Sequence, residues 1–256
     1  MSKRAVITGA SAGLGAEFAR QLAAQGYDLL LTARRRDRLD ALARELPVNT
    51  EIHIADLSQE SEARHFADHL AQRDDITLLV NNAGFGTKGL FEETDLDPQL
   101  DMHRLHILAT VCLTRAVLPQ MIRRNQGAII NVSSVAGFAR SIQNVSYCAT
   151  KAWTNAFSEG IHLELLARKS AVSVQSLCPG YTYTEFHDVL GVDRGLIHRS
   201  LWLSAQEVVR DSLSRRDQLF VIPGLRYRLF VGFWTKLPAR LRVFLESRSP
   251  LRREPA

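Results

Sequence analysis

The chain reads as an α/β protein, a parallel sheet covered by helices on both faces. Three observations predict this. Short apolar runs alternate along the chain with amphipathic stretches of helical length. A glycine-rich turn, Gly9 to Gly15, separates the first apolar run from the first helical stretch. The 256 residues suffice for one large core, and the composition is ordinary for a soluble globular protein.

In order, Arg4–Thr8 reads as the first strand and Gly13–Gln25 as its helix. Tyr27–Ala33 is the second strand, followed by a charged helix, Arg36–Leu46, that ends before Pro47. Glu51–Ala55 and Ile76–Val80 are strands flanking a helix over Glu60–Arg73. A long helix runs from Pro98 to Arg124, then come strand Ala128–Ser133, a helix through Tyr147 to about Arg168, and strand Ala171–Leu177. Ser204 and Glu207 have capping-box spacing and start another helix. Gln218–Ile222 is the last strand, and Pro223-Gly224 open a tail rich in Leu, Phe, Trp and Arg. The predicted division is a body over 1–222 and a basic, apolar extension over 223–256.

The charge is unevenly placed. Residues 215–256 hold ten Arg/Lys and three Asp/Glu, a net of +7, so the rest carries +5 − 7 = −2. A nearly neutral body argues against a nucleic-acid partner, whose basic stripe would sit on the fold. Cys112, Cys148 and Cys178 are scattered without metal-ligand spacing, which predicts a reduced, cytoplasmic setting and no metal site. His103, His162 and His187 show no ligand spacing either. The apolar run after Met1-Ser2-Lys3-Arg4 is too short for a signal peptide, and no uninterrupted apolar span reaches transmembrane length.

The turn Thr8-Gly9-Ala10-Ser11-Ala12-Gly13-Leu14-Gly15 lies between a strand and a helix, the context in which glycines let backbone amides and a helix N-terminus meet a pyrophosphate. The competing reading is a glycine-rich turn with no ligand. An acidic residue ending the second strand would bind the ribose hydroxyls of NAD. Arg34-Arg35-Arg36 stand there instead, and a guanidinium suits a 2′-phosphate. NADP(H) is therefore expected over NAD(H), against the alternative of a solvated helix start.

Tyr147 and Lys151 are four apart, so on a helix they share a face. A nearby ammonium favours the phenolate and moves a phenol toward proton transfer at neutral pH. Ser134, thirteen residues before Tyr147, is placed to hold a carbonyl or hydroxyl oxygen beside it. Ser133 is the alternative serine.

Together these residues resemble the short-chain dehydrogenase/reductase family. The pieces are Thr8-Gly9-x-x-x-Gly13-x-Gly15, Asp56-Leu57, Asn81-Asn82-Ala83-Gly84, Ser134, Tyr147-x-x-x-Lys151, Pro179-Gly180 and Thr184, in order from Arg4 to about Phe186. The resemblance implies a single-domain, Rossmann-like, doubly wound parallel sheet of seven strands in the order 3-2-1-4-5-6-7. It implies that Gly9, Ser11, Ala12, Gly13, Leu14 and Gly15 hold the pyrophosphate, that Asp56 and Leu57 border the adenine, and that Asn82, Ala83 and Gly84 line its ribose. Pro179, Gly180, Thr182 and Thr184 would cover the nicotinamide, and Lys151 would bind its ribose while lowering the Tyr147 pKa. Tyr147 would give its proton to a carbonyl oxygen as hydride moves from the nicotinamide, with Ser134 donating a hydrogen bond, and the reverse would oxidise an alcohol. A homodimer or homotetramer through the long helix and the Tyr147 helix is also implied. An epimerase or dehydratase using bound cofactor shares the triad but belongs to longer chains. A cofactor-binding scaffold without turnover is the alternative from another class, and the retained Ser134, Tyr147 and Lys151 argue against it.

One position departs from the family. Thirteen residues before Pro119, where the family carries an asparagine that holds a water linking the lysine to solvent, stands His106. The expectation is that His106 holds the water or relays protons; the alternative is a packed helix histidine. Residues of about 186–203 fall where the family keeps a variable substrate lid, and Phe186, Val189, Leu190, Leu196, Ile197, Leu201, Trp202 and Leu203 there point to an apolar substrate or to ordinary packing over the cofactor. For the tail, with Leu225, Leu229, Phe233 and Leu237 among arginines, three readings compete: a cover on the substrate pocket, a subunit contact, or peripheral membrane contact through 225–245.

Overall fold

The computed structural model describes residues 3–186, 195 and 197–248. Strands β1 (Arg4–Thr8), β2 (Asp28–Ala33), β3 (Thr50–Ile54), β4 (Ile76–Asn81), β5 (Ala128–Val132), β6 (Ser173–Leu177) and β7 (Phe220–Val221) form one sheet in the order β3-β2-β1-β4-β5-β6-β7. Every pairing is parallel. Both faces are covered, so the middles of the central strands are apolar and their side chains alternate between two cores. Ala5, Ile7, Leu29, Leu31, Leu78 and Val80 enter one core, with Phe18 and Leu22 from α1 (Gly13–Ala24). Val6, Leu30 and Leu79 enter the other, with Phe66 and Leu70 from α3 (Glu60–Ala71). Each buried phenylalanine contributes roughly 1.5–3 kcal/mol of transfer free energy.

From β1 the chain builds outward through α2 (Arg36–Glu45) to β3, then crosses back to β4 beside β1. The crevice at that reversal is where such sheets take ligands. Its rim is made by the turn after β1 and the segment after β4.

The predicted long helix starts earlier and is not uniform. It runs as α4 (Leu96–His103), a π-helical turn (Arg104–Ala109) and α5 (Thr110–Arg124). Together Leu96–Arg124 is long and apolar enough to cross a membrane by length and composition. Here Leu113, Val117 and Met121 belong to the sheet's second core. Next come α6 (Val145–Ala167) and α7 (Ala205–Ser214), whose start carries the expected capping box: Ser204 Oγ accepts from the Glu207 amide at 3.1 Å, and the Glu207 carboxylate accepts from the Ser204 amide at 3.1 Å. The last strand shrinks from five predicted residues to two, because Ser176 and Leu177 alone offer it partners.

The extension folds into α8 (Leu225–Trp234) and α9 (Ala239–Ser247). Tyr227, Val231 and Trp234, one helical stripe, are buried against the body. No residue of α9 is buried. Of the predicted lid, residues 187–194 and 196 lie outside the described residues, as do 249–256 of the extension.

Candidate active site

The turn after β1 is shaped by two glycines that nothing larger can replace. Gly9 has a φ of +65°, and a Cβ there would lie 2.8 Å from Ala83 Cα. A Cβ on Gly15 would lie 2.3 Å from the Gly9 carbonyl oxygen. Asn82 clamps the turn from the other rim: its Nδ2 donates to the carbonyls of Thr8 at 2.9 Å and Gly9 at 3.3 Å. Thr8 Oγ1 accepts from the amides of Asn82 and Ala83, each at 2.9 Å. The first residue position before α1, Ala12, has no side-chain cap, so first-turn amides face the crevice with Ser11, Gly13 and Leu14. An uncapped helix start beside a cradle that side chains would fill fits a diphosphate.

The rest of that rim follows. Asp56 Oδ1 accepts from the Ser58 amide at 3.0 Å and from Ser58 Oγ at 2.7 Å, and Asp56 pairs with Arg34 at 3.6 Å. Burial alone would raise its carboxyl, but the Ser58 hydrogen bonds and the Arg34 charge hold it below the ordinary value. Leu57 is buried behind it, and Ala83 and Gly84 line the same cleft of about 840 Å³.

The cleft continues to Ser134, Tyr147 and Lys151. The two candidate serines separate cleanly. Ser133 is buried and spends its hydroxyl on the Lys151 carbonyl at 2.9 Å. Ser134 faces the cleft, accepts from the Ala136 amide at 3.1 Å and donates to the Pro179 carbonyl at 3.4 Å. Lys151 lies 5.7 Å from the Tyr147 ring centroid and donates to the Val132 carbonyl at 2.9 Å.

The electrostatics correct the sequence reading. Tyr147 is held above, not below, an ordinary phenol: burial raises it, and the Ser134 hydrogen bond offsets only part of that. Lys151 is pushed down to about 8 by the same burial. The reason is shared desolvation: an ammonium that is itself costly to charge is a weak stabiliser of a phenolate.

His106 stands in the π turn, a feature common at functional sites. Its Nε2 accepts from the Phe85 amide at 3.2 Å, so Nδ1 carries the proton and donates to Thr150 Oγ1 at 2.9 Å. Thr150 Oγ1 in turn donates to the Tyr147 carbonyl at 2.9 Å. Gly84 leaves the room this needs, since a Cβ there would sit 2.7 Å from His106 Nε2. Burial first, then the charge of Lys151, keeps the imidazole well below its usual pKa. A neutral ring with both nitrogens committed to protein atoms does not suit a proton relay near pH 7. It suits a brace on the turn of α6 that carries Tyr147.

Pro179 and Gly180 close the cleft at the end of β6. Thr182 Oγ1 donates to the Gly180 carbonyl at 3.0 Å, and Thr184 Oγ1 to the Thr182 carbonyl at 3.4 Å. A Cβ on Gly180 would meet the Tyr227 ring at 2.0 Å. Tyr227 Oη accepts from the Tyr181 amide at 3.0 Å and donates to the Leu201 carbonyl at 2.6 Å. Sequence reasoning passed over Tyr227, Thr150, Phe85 and Glu185, which act through partners distant in the chain. Arg35 belongs to the arginine run expected to meet a 2′-phosphate, whereas Arg38, one helical turn on, lies outside it.

A diphosphate cradle joined to a Ser-Tyr-Lys group defines a nicotinamide-dependent oxidoreductase. The chain belongs to the short-chain dehydrogenase family, whose model, described as short chain dehydrogenase, matches residues 3–194. It is 36% identical over 182 residues to the Homo sapiens protein named Dehydrogenase/reductase SDR family member 7, covering 68% of this chain and 53% of that one, so it spans about half that relative's length. It is 35% identical over 190 residues to Nodulation protein G of Rhizobium meliloti (strain 1021), covering 73% and 76%. Among solved structures it is similar to a short-chain dehydrogenase from Sphingobium yanoikuyae in complex with NADPH, at 32% identity and a TM-score of 0.82 over 99% of this chain and 98% of that one. The bulky-bulky ketone specific alcohol dehydrogenase from Comamonas testosteroni gives 29% identity and 0.78 over 99% and 97%.

Proposed function

We propose that this protein uses NADP(H) to reduce an apolar ketone, or to oxidise the matching secondary alcohol. The observation that carries it is the wall of the cleft beyond Tyr147. Phe85, Ile142, Phe186, Ile197, Leu201 and Phe230 line it, and the Phe186 ring lies 5.7 Å from that of Tyr147. Such a wall suits a bulky apolar body. The likeness to a structure holding NADPH and to a bulky-ketone dehydrogenase supports both halves of the reading.

The bound nicotinamide would supply or accept hydride. Gly9 to Gly15 hold its diphosphate, Asp56 and Leu57 border the adenine, and Asn82 to Gly84 the ribose. Tyr147, protonated because it is buried, donates its proton to the carbonyl oxygen, and Ser134 donates a hydrogen bond to the same atom. Lys151 binds the nicotinamide ribose and steadies the phenolate left behind. His106, through Thr150, is a positioning residue for Tyr147. Pro179, Gly180, Thr182 and Thr184 cover the nicotinamide. A panel of bulky and small ketones, followed by NADPH and NADH absorbance, tests the reading. Turnover confined to small polar carbonyls, or equal with both nucleotides, would refute it.

The body over 1–222 is read as cytoplasmic and as a homodimer or homotetramer. Leu108 and Val111 on the long helix and Leu163 and Leu166 on α6 are exposed, as a subunit contact needs. The extension serves as a cover through its inner face. Its outer face, with Leu225, Leu229, Phe233 and Val243 each more than 60% exposed among arginines, is read as peripheral contact with an anionic membrane surface. Co-sedimentation with anionic liposomes, with and without residues 225–256, decides this, and equal pelleting would end it.

A further inference from the structure

We infer that Glu185 is the protein's own occupant of the subsite for the cofactor's 2′-phosphate, and that a 2′-phosphorylated nucleotide must displace it. The inference rests on the NADP(H) reading above and deepens it. The arginine run is not one surface. Arg34 turns to Asp56 at 3.6 Å and Arg36 to Asp40 at 3.6 Å. Arg35 and Arg38, one turn of chain apart, converge instead on a single carboxylate. Arg35 Nη1 donates to Glu185 Oε2 at 3.1 Å, and Arg38 Nη1 donates to Glu185 Oε1. The remaining donors of Arg35, Nε and Nη2, reach Ser11 Oγ in the phosphate turn at 3.2 and 3.0 Å. Two guanidiniums aimed at one anion beside the phosphate turn are the recognition set for a phosphate monoester, and the anion they hold belongs to the chain itself.

The carboxylate comes from across the molecule, 150 residues beyond Arg35. The segment that delivers it lies over the cradle: a Cβ on Gly13 would sit 3.3 Å from Thr184 Cβ. Hydrogen bonds from Arg38 and Arg35 hold the Glu185 carboxyl below its usual value, so it is an anion at neutral pH. The next residue, Phe186, packs against the Tyr147 ring. Glu185 therefore straps the edge of the substrate wall to α2.

A 2′-phosphate, with about −1.5 to −2 charge and three acceptor oxygens, outbids a single carboxylate for both arginines. A nucleotide without that group leaves the strap closed. The carboxylate thus opposes the phosphorylated cofactor, and the site's preference is the difference between the two anions.

Binding of adenosine 2′,5′-bisphosphate and of 5′-AMP by calorimetry, to the full chain and to Glu185→Gln, tests this without turnover. Neutralising Glu185 should tighten the bisphosphate about three- to tenfold, the worth of two exposed ion pairs, and leave 5′-AMP unchanged. Arg35→Ala should weaken the bisphosphate alone. If the unaltered chain prefers the bisphosphate but Glu185→Gln binds it no better, the strap is wrong and the NADP(H) reading stands. If the unaltered chain binds both ligands alike, the NADP(H) reading fails and takes the strap with it.

Discussion

The two halves of the cleft are built on different principles. The diphosphate end of the nucleotide half is made of backbone. Gly9 and Gly15 sit where any side chain would strike a neighbouring main chain, and Asn82 ties the turn to the opposite rim through two carbonyls. The substrate half is made of side chains borrowed from segments far apart in the chain, with Tyr227 of α8 holding the Tyr181 amide and the Leu201 carbonyl at once. Backbone leaves little freedom to vary. A wall assembled from an extension can be rebuilt without disturbing the cofactor, and this is the physical basis on which one fold takes many substrates.

The comparison breaks most sharply at two glycines. Gly15→Ala places a methyl 2.3 Å from the Gly9 carbonyl, which cannot move aside. The overpacking cost of about 1–3 kcal/mol falls on the cradle, and NADPH Kd should rise about ten- to 100-fold. Gly180→Ala drives a methyl into the Tyr227 ring instead. The clash falls on a buried side chain that holds the Tyr181 amide and the Leu201 carbonyl, so the ketone KM should rise and the melting temperature fall, while NADPH Kd rises by less than in Gly15→Ala. If both variants lose cofactor alike, the two halves are not separable.

Charge sharpens the contrast next. Lys151, lowered to about 8 by burial, is charged below that pH and neutral above it. Its role needs the charge, so kcat/KM for NADPH, which reports the free enzyme, should fall about tenfold per pH unit above about 8. A profile flat to pH 10 would remove Lys151 as the titrating group. The smallest effect belongs to His106. Because burial keeps it neutral, His106→Asn should lower kcat only a few-fold and leave the pH profile between 5 and 8 where it was. A shifted profile would restore the relay.

What could be read in the sequence divides along the same line. The glycine turn, the apolar strands and the Tyr147-Lys151 spacing are local demands of backbone geometry and periodicity, so they appear in consecutive residues. The position of His106 followed from counting back from Pro119, but the π turn around it did not, since one extra residue in a helix leaves no mark on composition. The Tyr147 phenol lies above its ordinary value, opposite to what its spacing from Lys151 implies, because the effect of an ammonium depends on how much water both groups lose, and burial is a property of the finished fold. The pairings of Gly180 with Tyr227 and of Glu185 with Arg35 and Arg38 join segments with no shared pattern.

The central claim is that a buried, protonated Tyr147 delivers the proton at the carbonyl oxygen. It is tested most directly by Tyr147→Phe, with ketone-dependent NADPH oxidation and NADPH affinity measured on the same preparation. The expected loss in kcat is about 100-fold or more, the worth of a positioned general acid, with Kd for NADPH unchanged. Turnover within a few-fold of the unaltered enzyme, with the nucleotide still bound, would contradict it.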